Sequence, residues 1–108
     1  MKKIPQAELK IMKFIWNKND IVTSKEVVEA MEHECNWKVT TTLTIISRLV
    51  NKRFLSAERI KRMTHYTILI TKQEYKVFAT KRFLEEVHSN SIESLIDSLI
   101  DIQKNSAT

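Results

Sequence analysis

A chain of 108 residues, 43% hydrophobic and 29% charged, holds apolar mass for one core but not for two independent ones, so a core with an appendage is expected. No stretch approaches the ~20 apolar residues of a membrane helix, and the single Cys35 excludes an internal disulfide or a Cys cluster. The net charge of +5 is modest but localised: from Cys35 to Gln73 eight Lys or Arg face one acid, Glu58, while residues 1–34 balance and residues 74–108 are slightly acidic.

A positive field confined to the middle third is the electrostatic footprint of a polyanion site. Met1-Lys2-Lys3 begins like a signal peptide, but Pro5, Gln6 and Glu8 stand where the apolar stretch should be, so a cytoplasmic protein is expected.

The pattern from Pro5 to Asn17 predicts a first helix, with Pro5 in its first turn and Ala7, Ile11, Met12, Phe14, Ile15 and Trp16 on a wide apolar face. Asn17 to Asp20 ends it, and Ile21-Val22 is a short extended piece. Thr23-Ser24-Lys25-Glu26 has the spacing of a capping box, flanked by Val22 and Val27 at the positions of a hydrophobic staple. A second helix therefore starts near Ser24 and stops near Cys35-Asn36.

The stretch Trp37 to Arg53 follows. As a helix it sets Leu43, Ile45, Ile46, Leu49 and Val50 on one side and Thr40, Thr41, Thr44, Ser47, Arg48, Asn51 and Lys52 on the other. A solvated face ordinarily mixes acids among its bases, and this one has no acid. Short hydroxyls near a helix N-terminus approach base edges and phosphates closely, and Arg48 can fork onto guanine or phosphate. Two helices joined by a few residues, the second basic and rich in hydroxyls, make a helix-turn-helix with a DNA recognition helix.

After Arg53 the period changes from 3.6 to 2 through Leu55–Ile60 and Thr64–Ile70, which predicts a β-hairpin with Lys61-Arg62-Met63 at its tip. With neither Gly nor Asn at the tip, a turn longer than a two-residue type I′ is expected. A basic hairpin directly after a helix-turn-helix is a winged helix, its wing lying along the phosphate backbone. Thr71-Lys72-Gln73-Glu74 repeats the capping-box spacing, so a long helix follows, with Tyr75, Phe78, Phe83, Leu84 and Val87. Ser89-Asn90-Ser91 interrupts it. Beyond lies a stripe of Ile92, Leu95, Ile96, Leu99 and Ile100, with Glu93, Asp97 and Asp101 opposite. A stripe beyond a completed winged helix needs a partner: it either packs back onto its own domain or, the favoured reading, joins a homodimer, the usual symmetric solution. Residues 103–108 are expected to fray.

No enzyme motif is present. With no glycine in the chain, the phosphate-cradling loops of nucleotide-binding folds are ruled out. His33 and Cys35, two residues apart on a helix, point away from each other, and His65 and His88 are isolated, so neither a metal nor a cofactor is expected.

These residues together resemble the BlaI/MecI family of penicillinase repressors. The matching pieces are Met1-Lys2-Lys3-Ile4-Pro5-Gln6, Ala7-Glu8-Leu9 with Met12 and Ile15-Trp16, the Val27-containing second helix, Trp37 with Thr41, Thr44 and Arg48-Leu49, and His65-Tyr66-Thr67. The resemblance implies a dimeric winged-helix repressor of a β-lactam resistance or related stress gene. It would bind an inverted-repeat operator and be relieved by a regulatory protease acting in the C-terminal region after a membrane receptor senses a β-lactam. It implies that Thr40 and Thr41 open the helix entering the major groove, that Thr44 and Arg48 continue along its face, and that Arg62 and Tyr66 belong to the wing. There are departures. Lys38-Val39-Thr40 stands where Ser-Pro-Lys is common, Arg53 replaces a usual Gly, and the wing-tip glycine is missing. Ser98-Leu99 aligns with the Asn-Phe bond cut in the best-known members, and the Cys-rich tail of copper-responsive relatives is absent.

The expectation is thus a mostly α protein with a small β-wing: a winged helix-turn-helix over 1–71 and a helical dimerisation region over 72–108. Double-stranded operator DNA would meet Lys38, Thr40, Thr41, Thr44, Arg48, Lys52, Lys61, Arg62 and Tyr66. Phe83, Ile92, Leu95, Ile96, Leu99 and Ile100 would join two copies. The alternative is a winged helix whose basic face meets an acidic protein partner.

Overall fold

The structure, a computed structural model, describes residues 1–106. Its elements are α1 (Gln6–Lys18), β1 (Val22–Thr23), α2 (Ser24–Cys35), α3 (Val39–Asn51), β2 (Leu55–Ile60), β3 (Met63–Ile68), α4 (Lys72–His88) and α5 (Ile92–Ser106). This is the mostly α architecture with a small wing that the sequence pattern predicts. The chain divides into two compact units, Met1–Glu74 and a second that begins at Tyr75. The first turn of α4 thus goes with the first unit.

Helix ends follow local chemistry. Pro5 precedes α1 and its carbonyl accepts from Leu9 N at 2.9 Å, while Asn19, in the left-handed region, closes the far end by donating to Ile15 O at 3.0 Å. At α2 the capping box is complete: Thr23 Oγ1 accepts from Glu26 N at 3.2 Å, and Glu26 Oε1 accepts from Thr23 N at 3.0 Å. Thr71 and Glu74 make the same reciprocal pair at α4, at 3.1 and 2.9 Å. Hydrogen bonds from the Thr71 backbone and side chain hold the Glu74 carboxyl below its usual range.

The core of the first unit is built where the helical stripes meet. Ile11, Met12 and Ile15 of α1, Val27 and Met31 of α2, Ile46 and Leu49 of α3, and Phe54 and Leu55 are all buried. Burial of this kind is worth ~1.5–3 kcal/mol for each large side chain. Trp16 adds a tie, its indole Nε1 donating to Ile70 O at 2.9 Å. The sheet is antiparallel in the order β1-β3-β2, so the extended piece at Val22 becomes a third strand, pairing Val22 with Tyr66 and Thr23 with His65.

The wing departs from expectation. Ile60 pairs with Met63, so the hairpin turns through two residues only, Lys61 and Arg62, with φ of 49° and 68°. Positive φ at both central residues is what a type I′ turn requires, because only the primed turns match the right-handed twist of the strands. The twist prevails over the mild left-handed penalty of two ordinary side chains. The helical end differs too. Residues 103–106 continue α5 as regular helix, with Ser106 Oγ donating to Ile102 O at 2.8 Å; the remainder of the expected frayed segment, Ala107 and Thr108, lies outside the described residues.

In the second unit, α4 and α5 meet at a corner. Ser89 and Asn90 take positive φ, Asn90 N donates to Leu84 O at 3.0 Å, and Ser91 caps α5 by accepting from Ser94 N at 3.0 Å. His88 is buried there, its Nδ1 2.8 Å from Ser94 Oγ and its ring edge-on to Phe83 with centroids 5.2 Å apart. No residue of α5 is buried. Among the described residues no helix is long and apolar enough to cross a membrane.

Candidate nucleic-acid interface

The interface is set by how α3 is held. Asn36, at φ 56°, ends α2 by donating to Glu32 O at 3.0 Å, and Trp37 N reaches Met31 O at 3.3 Å, which leaves Lys38 as the residue capping α3. At the other end Arg53 N donates to Val50 O and Phe54 N to Leu49 O, both at 3.0 Å, the paired bonds of a Schellman motif. Phe54 and Leu49 are both fully buried and occupy the two positions at which such a motif places its hydrophobic pair. The left-handed position belongs to Arg53, at φ 63°, where glycine is usual.

The inner side of α3 consists of Thr42, Ile45, Ile46 and Leu49. Leu43, expected there, is instead 41% exposed. With the stripe centred on Ile45, Ile46 and Leu49, the 100° step turns Thr42 inward and Leu43 out. The hydroxyl of Thr42 is completely buried and has no hydrogen-bond partner among the described residues.

Thr40, Thr41, Thr44, Ser47, Arg48 and Asn51 are exposed along the outer side, as is Lys38 at its start. Thr40, Thr41, Thr44 and Arg48 line one shallow cleft of about 310 Å³ with Ile45. Four of the expected contact residues are therefore brought together on a single surface. No acid lies in the first turn of α3. Among the described residues Lys38, Arg48, Lys61 and Arg62 form no ion pair, so their charge is available to an external anion. Lys61 and Arg62 stand exposed at the wing tip.

Two other expected contacts have their polar groups placed elsewhere. Lys52 Nζ lies 2.6 Å from Glu8 Oε1, and Glu8 is only 2% exposed. This pair ties α1 to the C-terminal end of α3 and engages the half-buried Lys52 with a buried carboxylate. Tyr66 is 6% exposed in the middle of β3, opposite Val22 and Ala57, and burial pushes its phenol above the ordinary value. It supports the wing from within. The burial of Glu8 was missed in the sequence reading although the signal was available: at 100° per residue it falls at the centre of the stripe formed by Ile11, Met12, Ile15 and Trp16. A carboxylate in that position needs a cation.

The described residues hold no cluster of metal-ligating side chains. His33 is exposed, and His65 places Nδ1 3.2 Å from Met63 O.

Comparison with known proteins decides the lineage: the sequence model of the penicillinase repressor family matches residues 4–108. The chain belongs to the penicillinase repressor family. Members are transcriptional repressors, not enzymes. The chain is 30% identical over 104 residues to the penicillinase repressor of Bacillus licheniformis, covering 94% of this chain and 80% of that protein. It is 24% identical over 98 residues to the methicillin resistance regulatory protein MecI of Staphylococcus aureus strain N315, covering 91% and 79%. Among solved structures, the solution structure of the DNA-binding domain of the repressor BlaI is 36% identical with a TM-score of 0.60, over 69% of this chain and 94% of that one. The monomeric form of Bacillus licheniformis BlaI in complex with the blaP half-operator is 30% identical with a TM-score of 0.59, over 68% and 89%. This penicillinase repressor family member is thus a winged helix in its first unit, with α2 and α3 as the helix-turn-helix and β2 and β3 as the wing.

Proposed function

We propose that this protein represses transcription as a cytoplasmic homodimer on an inverted-repeat operator, each α3 entering the major groove of one half-site. The observation that carries this reading is the acid-free outer side of α3, where Thr40, Thr41, Thr44 and Arg48 share one cleft. The likeness to BlaI bound to a half-operator supports it. Arg48 reads a base edge, Lys38 and the wing residues Lys61 and Arg62 take phosphates, and Lys52 and Tyr66 act by holding α3 and the wing in place.

The dimer would be made by the second unit. Ile92, Ile96, Leu99 and Ile100 of α5 and Phe83 of α4 are exposed, and Leu95 is half-buried among them. An apolar surface of this size on a monomer marks an interaction site. Ser98 and Leu99 lie midway along α5, so a cut at that bond would divide the dimerising face. The names of the relatives, penicillinase and methicillin resistance regulators, support a β-lactam resistance or related stress gene as the target.

Selection of duplexes from a random pool by the full chain, followed by binding at graded salt, tests the reading. The expected product is an inverted repeat. Its affinity should fall with a log-log slope of about −0.9 for each phosphate contacted. Failure to enrich any duplex would leave the basic face to an acidic protein partner.

A further inference from the structure

Leu43 stands apart from the other large apolar residues in the middle of α3. It is 41% exposed, while Ile45, Ile46 and Leu49 fill the inner side of the same helix. By helical spacing it comes up beside Thr40 and Ser47, on the margin of the acid-free face, with the half-exposed Val39 one turn earlier. Side chains on a helix lean toward its N-terminus, the end that a recognition helix presents to base edges.

The groups beside it narrow what this margin can read. Thr44 Oγ1 donates to Thr40 O at 2.8 Å, and Ser47 Oγ donates to Thr44 O at 2.8 Å. With their protons turned onto the helix backbone, these hydroxyls offer a base acceptor lone pairs, and Thr44 also offers a methyl group. The strong donor on the face is Arg48, matched to guanine. In the major groove the one apolar feature of any base pair is the 5-methyl of thymine. An exposed isobutyl group continuous with the hydroxyl face has that methyl as its complement.

We infer that Leu43 is a specificity-determining residue that packs on the 5-methyl group of a thymine in each half-site, with Val39 extending the same apolar edge. This rests on the reading of α3 as the groove-entering helix. Leu43 would then select thymine where Arg48 selects guanine.

Uracil provides the test, because it keeps every hydrogen-bonding group of thymine and lacks only the methyl. In the duplex selected by the full chain, each thymine of one half-site is replaced in turn by uracil and the affinity measured. One position should weaken binding by about three- to fivefold, the value of a buried methyl group. Leu43→Ala and Leu43→Gln, both at an exposed site, should bind the thymine and uracil duplexes equally at that position while still discriminating against loss of the guanine read by Arg48. Uracil tolerated at every position would overturn the inference while leaving the DNA reading intact, and so would a thymine preference that survives in both variants. If no duplex is selected at all, the reading of α3 fails and this inference falls with it.

Discussion

Helices α3 and α5 carry apolar stripes of the same spacing, yet one is closed and the other open. Helix α3 packs on α1, α2 and β2, and its Ile45, Ile46 and Leu49 are almost wholly removed from water. In α5, Ile92, Ile96, Leu99 and Ile100 remain between 44% and 64% exposed. Periodicity reports that a helix face needs a partner; it does not say whether the partner lies in the same chain. The outer sides differ in the opposite sense. That of α5 mixes Glu93, Asp97 and Asp101 as a solvated surface does, whereas that of α3 has hydroxyls and Arg48 without a single acid. On the proposed reading each helix thus turns one side to an external partner: α3 its polar side, and α5 its apolar side.

Equivalent truncations should separate the two helices most sharply. Leu49→Ala opens a cavity in a closed core and should cost about 2–5 kcal/mol in urea unfolding, whereas Leu99→Ala should change the stability of the monomer by less than ~0.5 kcal/mol and weaken self-association instead. Similar losses in both would mean that the stripe of α5 is closed within its own chain. Next in size is the tie beneath α3. Lys52→Ala strands the buried carboxylate of Glu8 and should cost about 3 kcal/mol, most of it recovered in the double variant Glu8→Leu with Lys52→Met, since an apolar pair of similar volume needs no compensation. A single variant as stable as the parent would place Lys52 in solvent, free for DNA.

On the outer side of α3, Arg48→Ala should weaken specific binding by ~1–3 kcal/mol and relax preference at one base pair with little change in folding. Unchanged affinity for both operator and scrambled duplex would exclude Arg48 as a reader. The smallest effect is expected at Thr42, whose buried hydroxyl is unpartnered. Thr42→Val keeps the shape and removes the polar atom, and should raise stability by ~1 kcal/mol. A loss of stability in thermal unfolding would show that the hydroxyl has a partner in solution.

Much of this was legible in the residues, and what was not has specific causes. The capping boxes at Thr23 and Thr71 placed two helix starts, because reciprocal side-chain bonds are local and have a fixed spacing. The turns were harder. The chain has no glycine, so the left-handed positions fall on Asn19, Asn36, Arg53, Lys61, Arg62, Ser89 and Asn90, and at Arg53, Lys61 and Arg62 composition gives no warning. There the backbone conformation goes with the twist of the strands and with the burial of Leu49 and Phe54 in the core, which the residue types at the turn do not announce. The outward turn of Leu43 and the engagement of Lys52 were also hidden, since each depends on which side of α3 the rest of the first unit covers. The buried Glu8 was readable as an acid at the centre of an apolar stripe. Its partner, 44 positions away, was not.

The central claim is a division of labour: the first unit binds a half-site by itself, and α5 brings two copies to one operator. Replacing Leu95 and Leu99 by Asp puts charges into the apolar face without cations to pair with. Affinity of this variant for a single half-site and for the full inverted repeat, measured alongside sedimentation, tests the claim directly. The account predicts a folded monomer with parental half-site affinity and no gain from the second half-site, because the second binding event is no longer intramolecular. A variant that stays dimeric and holds the full operator as tightly as the parent would contradict it.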